Sequence, residues 1–414
     1  MINNKTKFID YILVLSFLLI TASPFFGLVS VLVPFTFMVI IWAYALYKKK
    51  LRNSKKIFLV LIAVYALIII QWVLYGGFSL AGIYKPLLIF FTPYIFYRLL
   101  GWKYFRYLFD IIYYSSIFTF PIYLIQSLFQ PVNALVIKAM DFAFPYAWTD
   151  WPRTILFYSM PRESGFLLLR NSGIFHEPGA FSLYLMLAII INTFFTGKAL
   201  DRKNIILAII LLTTFSTAGY ILLILFLAYA IPKSKMNLIL KFIVFLIMII
   251  ITIKTYTSQE FLQQKIEENY SSQVNAIENN EAGEGRFFGF FLAYKVFKQN
   301  FLFGNGILMA NRPVGKELIN SGFGLGFMSF LANYGIIFGF FYFLFYYKGL
   351  KKLCLFYGLP KSLAILFIII IHAGLSTQSF FYHASFVMFF IIGLESNMNL
   401  DAFFISKKAM LYKT

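Results

Sequence analysis

Arg170, His176, Glu177 and Arg286 are the residues of this chain whose types and positions point most directly to chemistry. The first three lie in LLLRNSGIFHEPGAFSLY (167–184), at the start of a long apolar run. In a chain that is 61% hydrophobic and 13% charged, so many ionisable groups at a membrane boundary are costly and need a reason. A guanidinium grips phosphate oxygens through a planar fork, and a nearby carboxylate or imidazole can take a proton. Arg286 stands at the start of GRFFGFFLAYKVFKQNFLFGNG (285–306), which reads as an amphipathic helix at the membrane surface that stops at Gly304 and Gly306. A cation gains nothing from the positive end of a helix dipole, whereas an anion held between that end and the guanidinium makes sense of it. Plainer roles stand beside these. Arg170 can bind lipid headgroups, Glu177 before Pro178 suits a helix N-terminus, and His176 can hydrogen-bond inside a bundle.

What is missing narrows the chemistry. The sequence holds no Walker A loop, no HExxH and no Asp-x-Asp pair, and Cys354 is its one cysteine. That excludes an internal disulfide and a cysteine-based metal site. Glu278, Glu281 and Glu284 lie in an Asn/Gly-rich run and read as solvated surface. Gly322, Gly324 and Gly326 do not follow a strand, so they are no nucleotide fingerprint; Gly322/Gly326 and Gly335/Gly339 fit close helix packing. Metal-independent chemistry without a cofactor is the expectation. The net charge of +20 is spread in short basic clusters between apolar runs, a topology signal and not a nucleic-acid surface.

The elements that must position these residues are membrane helices. With 414 residues, 53 Phe, 28 Tyr and repeated apolar runs, the chain reads as an all-α polytopic membrane protein. Twelve spans are predicted: 8–27, 29–47, 57–75, 83–97, 107–130, 174–196, 204–216, 218–232, 237–255, 321–347, 362–378 and 383–400. The seventh and eighth are short, with the turn STAG (216–219) half-buried between them, and either can be re-entrant. The N-terminal apolar stretch is long and runs directly into a second span, so it reads as an uncleaved first helix. The alternation places 24 of the 36 Lys and Arg on one side and 11 of the 16 Asp and Glu on the other. By the positive-inside rule both termini are cytoplasmic.

The chain then divides into N-terminal membrane helices (1–130), a first large outer loop (131–173), central helices (174–255), a second large outer loop with the amphipathic helix (256–320), and C-terminal helices with a cytoplasmic tail (321–414). FPYAWTDWPR (144–153) in the first loop suggests a folded cap, with Trp148 and Trp151 beside Asp150 and Arg153 suited either to stacking on sugar rings or to interfacial anchoring. His372 and His383 flank the last outer turn, LSTQSFFYH (375–383). An intramembrane histidine is a functional candidate, with packing as the alternative. Tyr220, Asn320 and Gln378 are further polar candidates for sugar contacts.

Four stretches occur in a particular order: RNSGIFHEPGAF (170–181), STAGY (216–220), GRFFGFFLAYKVFKQNFLFGNGI (285–307) and NSGFGLGFMSFLANYGIIFGF (320–340). In this order they resemble the O-antigen polymerase and ligase superfamily of bacterial surface polysaccharide assembly. The likeness rests on the Arg-x-x-Gly-x-Phe-x-x-Pro opening of a span, the Gly-Arg opening of the large outer loop, its closing Phe-Gly-x-Gly, and the helix carrying YGIIFG (334–339). The motifs cover roughly 165–345.

This resemblance implies a glycosyltransferase of the membrane-embedded C type in the bacterial plasma membrane, active on the extracytoplasmic side without a metal or nucleotide sugar. Its substrate is an oligosaccharide on undecaprenyl pyrophosphate, and its partners are membrane lipids, a flippase and a chain-length regulator. Arg170 and Arg286 match arginines placed near the donor pyrophosphate, and Glu177 matches an acidic position of polymerase-like members; Glu177 or His176 would deprotonate the acceptor. Ligase members carry a His-Asn pair where this chain reads Ile319-Asn320, which favours polymerase over ligase or another oligosaccharyltransferase. A lipid-linked oligosaccharide flippase is the reading from a different class, although no repeated halves are visible.

Overall fold

The computed structural model describes residues 4–22, 32–48, 55–76, 85–143, 154–155, 158–159, 169–234, 286–306, 326–377 and 383–395, with isolated positions between 237 and 246. The apolar runs fold as helices because a backbone in hydrocarbon must satisfy its own amides and carbonyls. In chain order these are α1 (Asn4–Ala22), α2 (Leu32–Tyr47), α3 (Lys55–Tyr75), a π-helical turn (Leu87–Phe91) running into α4 (Thr92–Leu100), α5 (Lys103–Leu128) and α6 (Gln130–Ala143). A two-residue hairpin pairs β1 (Thr154–Ile155) with β2 (Tyr158–Ser159), antiparallel. There follow α7 (Pro178–Thr196), α8 (Arg202–Leu212), α9 (Thr217–Ala230), α10 (Arg286–Gln299), α11 (Gly326–Phe356), α12 (Leu363–Ser376) and α13 (Ala384–Leu394).

Among the described residues four helices, α3, α5, α7 and α11, are long and apolar enough to cross a membrane, and shorter apolar helices accompany them. The architecture is that of an almost wholly helical, membrane-embedded protein. Burial separates the roles of the long helices. The apolar window of α7 is 83% buried whereas that of α3 is 28% buried, so α7 is the central post and α3 a peripheral one. Around α7 pack α5, α8, α9 and α12. Against α11 lies α13, and their backbones touch: a Cβ added at Gly349 would fall 1.8 Å from Phe389 O, and one at Gly393 would fall 1.7 Å from Phe345 O. Small residues permit this approach, as they do wherever membrane helices pack tightly.

The bundle has two unlike poles. At one, Lys56 Nζ donates to Leu394 O at 3.0 Å and Lys352 Nζ to Ile392 O at 3.0 Å, so two cations hold the negative end of α13. Trp102 stacks on Phe356 there at 4.5 Å, the Arg106 guanidinium lies 5.7 Å from the Phe195 ring, and Lys203 lies over Tyr113. Asn192, Asp201 and Asn204 tie α7 to α8 at the same pole, with Asn192 Nδ2 3.1 Å from Asp201 Oδ2 and 2.9 Å from Asn204 Oδ1. At the opposite pole lie the starts of α7, α9 and α13.

Several boundaries differ from those the sequence predicts. The span expected at 204–216 is the helix α8 of 11 residues, about 16 Å long and short of the ~30 Å hydrocarbon core. Its turn into α9 is buried at Thr214 and Ser216, and Phe215 adopts a left-handed φ of 45°. The first large loop opens with a helix, α6, whose Pro131 sits at the first turn, where no amide is needed. The surface helix expected to run to Gly304 ends at Gln299, because 300–306 turn to dock on α11. Gly335, expected as a packing glycine, is a break: its φ of 73° and ψ of 174° interrupt α11 in a region essentially restricted to glycine. The described part of the last span ends at Leu394. Trp148, Asp150, Trp151, Arg153, Asn320, Gln378 and the stretch 256–285 lie outside the described residues.

Candidate functional site

The stretch from Leu169 to Glu177 enters α7 through a loop fixed at nearly every residue. Tyr123 of α5 donates its hydroxyl to Leu169 O at 2.7 Å. Asn171 is the latch: its amide and its Nδ2 both reach Thr213, at O and Oγ1, each 3.0 Å away. Its Oδ1 accepts from Gly173 N at 3.0 Å, an Asx turn that bends the chain. Gly173 sits at φ 56°, and an added Cβ would lie 2.7 Å from the Phe181 ring, so both conformation and space demand glycine. The Gly173 carbonyl accepts from Ser159 N at 2.7 Å, which seats the hairpin on the loop. Phe175 then stacks on Tyr184 with ring centroids 4.5 Å apart, anchoring the segment that carries His176 and Glu177.

Arg170 is placed between two helix ends of opposite sign. Its Nε reaches Thr214 O at 3.4 Å, just past the carbonyl end of α8, where a cation is welcome. Beyond the turn starts α9, capped by Ser216, whose Oγ accepts from Gly219 N at 3.2 Å. Tyr220 in the first turn of α9 donates its hydroxyl back to Leu212 O at 2.7 Å. The starts of α7 and α9 are pressed together: Ser182 Oγ lies 3.2 Å from Ser216 Oγ, and a Cβ on Gly219 would lie 2.6 Å from Ser182 Cβ. The Arg170 guanidinium thus lies at the carbonyl end of α8, beside the turn from which α9 starts, and α9 in turn packs on α7.

Glu177 occupies the N-cap position of α7, with extended backbone, Pro178 at the first helical position and its carbonyl accepting from Phe181 N at 3.1 Å. Its carboxylate makes no capping bond to the helix amides. Oε1 lies instead 3.8 Å from His176 Nε2, both side chains being about one-fifth exposed. His383 stands at the N-cap position of α13, with Nδ1 3.1 Å from the Tyr184 hydroxyl. Two polar pairs, His176–Glu177 and Tyr184–His383, therefore stand at the starts of α7 and α13.

The remaining candidates go elsewhere. His372 has its Nδ1 2.8 Å from Ile368 O, and its ring lies against Phe343 at 4.8 Å and Tyr346 at 4.6 Å; these partners belong to α11 and α12. Arg286 is the first residue of α10, and its side chain lies outside the described residues, as do Asn320 and Gln378. Among the described residues no trio of His, Cys, Asp or Glu side chains is arranged to hold a metal ion. Sequence reasoning passed over Tyr184, the Asn171–Thr213 latch and Gln71, which donates from α3 to Phe303 O at 2.7 Å and to Asn333 O at 2.8 Å. For Gln71 a signal exists: it is the one polar side chain in the apolar run IIIQWVL (68–74). The chain matches no protein-family model, no curated protein and no solved structure.

Proposed function

We propose that this chain is a polymerase of bacterial surface polysaccharide, a membrane glycosyltransferase that moves a glycan from undecaprenyl pyrophosphate to the acceptor sugar of a second lipid-linked repeat unit. The observation that carries the reading is the 170–177 loop itself, which sets Arg170 at the turn into α9 and His176 and Glu177, 3.8 Å apart, at the start of α7. In this reading the fold is of the C type with twelve spans, both termini are cytoplasmic, and the pole that holds Arg170 faces outward. The gathering of Lys56, Lys352, Arg106 and Lys203 at the other pole supports that orientation.

The step follows from these parts. The acceptor hydroxyl attacks the anomeric carbon of the donor glycan; the new glycosidic bond forms as the bond to the pyrophosphate oxygen breaks. The acceptor proton passes to Glu177 or His176, and undecaprenyl pyrophosphate leaves with both electrons of the broken bond. Arg170, with Arg286 brought by α10, stabilises the charge that grows on the leaving phosphate. A flippase would supply the donor and a chain-length regulator would act on the product.

The test is polymer length in a strain lacking the native gene. Arg170→Ala and Arg286→Ala variants should accumulate as full-length protein and lose about 10²-fold or more of their polymerising rate, leaving no long chains. Wild-type chain length from either variant would overturn its phosphate-binding role. Purified protein in liposomes should lengthen lipid-linked glycans; moving them across the bilayer without lengthening would make it a flippase.

A further inference from the structure

Near the end of α10 the structure builds a joint that the proposed chemistry does not use. Segment 301–306 enters the break in α11 at Gly335 and exchanges backbone hydrogen bonds with both of its halves. Asn305 N donates to Ala332 O at 2.7 Å and Gly306 N to Asn333 O at 2.9 Å, which satisfies the carbonyl end of the first half. On the other side of the break Ile336 N donates to Phe301 O at 2.9 Å and Ile337 N to Leu302 O at 3.5 Å. The contact is so close that a Cβ on Gly335 would lie 2.2 Å from Leu302 O, and one on Gly304 would lie 2.5 Å from Gly335 N.

The key to this joint comes from another helix. Gln71 of α3 is 4% exposed, and its Nε2 donates to Phe303 O on the inserted segment and to Asn333 O on the broken helix. One amide group thus ties both halves of the joint, using its two hydrogens on two carbonyls. A Cβ on Gly306 would lie 2.6 Å from Gln71 Oε1, so the glutamine is gripped by the turn it holds. One helical turn further on, Tyr75 donates its hydroxyl to Asn300 Oδ1 at 2.6 Å, and Asn305 Nδ2 donates to Val296 O at 2.9 Å inside the last turn of α10. The C-terminal end of α10 is therefore clamped to α3 and α11 together, with Leu292, Ala293, Val296 and Phe297 buried along its packed face.

We infer that Gln71 and Tyr75 are positioning residues that set the place of Arg286 through α10. This rests on the proposed role of Arg286. The helix has 14 residues and reaches about 20 Å from the clamp to Arg286. A tilt of roughly 10° at the clamp then moves the arginine end by about 3.5 Å over that length. A misplacement of about 1 Å can cost ~10²-fold in an oriented reaction, so the clamp governs whether Arg286 meets the donor. A glutamine amide inside an apolar helix costs free energy at insertion unless its bonds are made, and here both are made to this joint.

The experiment uses the full chain in nanodiscs, with Cys354 replaced by Ala and spin labels at Tyr294→Cys on α10 and Phe129→Cys at the end of α5, both exposed positions. The unaltered clamp should give one narrow distance distribution; Gln71→Leu should broaden it or shift it by several Å, and Tyr75→Phe should do so less. Because Gly335→Ala would disrupt folding as well as the joint, the judgement rests on Gln71→Leu in protein that elutes as a single species. An unchanged distribution overturns the inference. The second arm measures binding of undecaprenyl pyrophosphate. Gln71→Leu and Arg286→Ala should each weaken it about 10-fold, and the double variant no further, because both remove the same contact. Additive losses overturn the inference too. If the wild-type protein binds no undecaprenyl pyrophosphate, the polymerase reading fails, while the distance measurement still judges the clamp.

Discussion

Glu177 separates two roles that sequence alone leaves joined. A carboxylate just before a prolyl helix start is good capping chemistry, yet here the side chain makes no bond to the helix amides and lies near His176. The Glu177→Gln variant keeps the shape and loses only charge and basicity. It should leave the thermal midpoint in detergent nearly unchanged and lower turnover by about 10²-fold or more, as expected for a lost general base. A lower midpoint with normal turnover would make Glu177 a helix anion only. Arg170→Lys belongs beside it: a point charge still serves the carbonyl end of α8 but lacks the fork, so turnover should fall with stability retained. The residue types of the candidate site stand out in the sequence because they are expensive in this composition. Their neighbours were not: nothing local to Tyr184 or Thr213 announces that one meets His383 and the other Asn171, since both contacts join distant parts of the chain.

Elements were legible as far as hydrophobic runs define them, and the errors fall where backbone bonds leave the run. A run of apolar residues fixes that a helix exists, while its ends depend on what its amides and carbonyls find. The carbonyl end of α8 finds Arg170 and Tyr220, so this helix stops early. The chain after α10 finds the gap in α11, so Asn300 to Gly306 leave the helix and the break at Gly335 appears in what reads as a continuous span. Glycine spacing pointed to Gly335 and Gly339, whereas α11 and α13 meet at Gly349 and Gly393, where an added Cβ would lie 1.8 Å from Phe389 O and 1.7 Å from Phe345 O. Gly393→Ala should therefore separate these helices and cost about 1–3 kcal/mol, seen as a lower thermal midpoint. The same change at Gly358, where an added Cβ meets nothing within 4 Å but φ is 71°, should cost about 1 kcal/mol through backbone strain alone. Equal midpoints for the two variants would mean that the α11–α13 contact is not tight.

For the whole molecule, the unequal poles make orientation testable with thiols. Cys354 is fully buried, so introduced cysteines report cleanly. A thiol at the exposed Lys198, at the basic pole, should react with a membrane-impermeant reagent only in inverted vesicles; one at the exposed Gln130 should react only in intact cells. The reverse pattern would place the Arg170 pole inside and remove the extracytoplasmic reading. Charge clusters let an orientation be predicted from composition, whereas no local pattern shows that α7 is the central post, because burial is a property of the assembled bundle. The break at Gly335 also carries a consequence for biogenesis. Among the described residues, the groups that bond into it, Gln71 of α3 and the turn 300–306, precede α11 in the chain. A nascent chain can therefore heal the interruption as soon as α11 is inserted, before α12 and α13 leave the ribosome, and at no stage must a long-lived intermediate hold bare peptide groups in hydrocarbon.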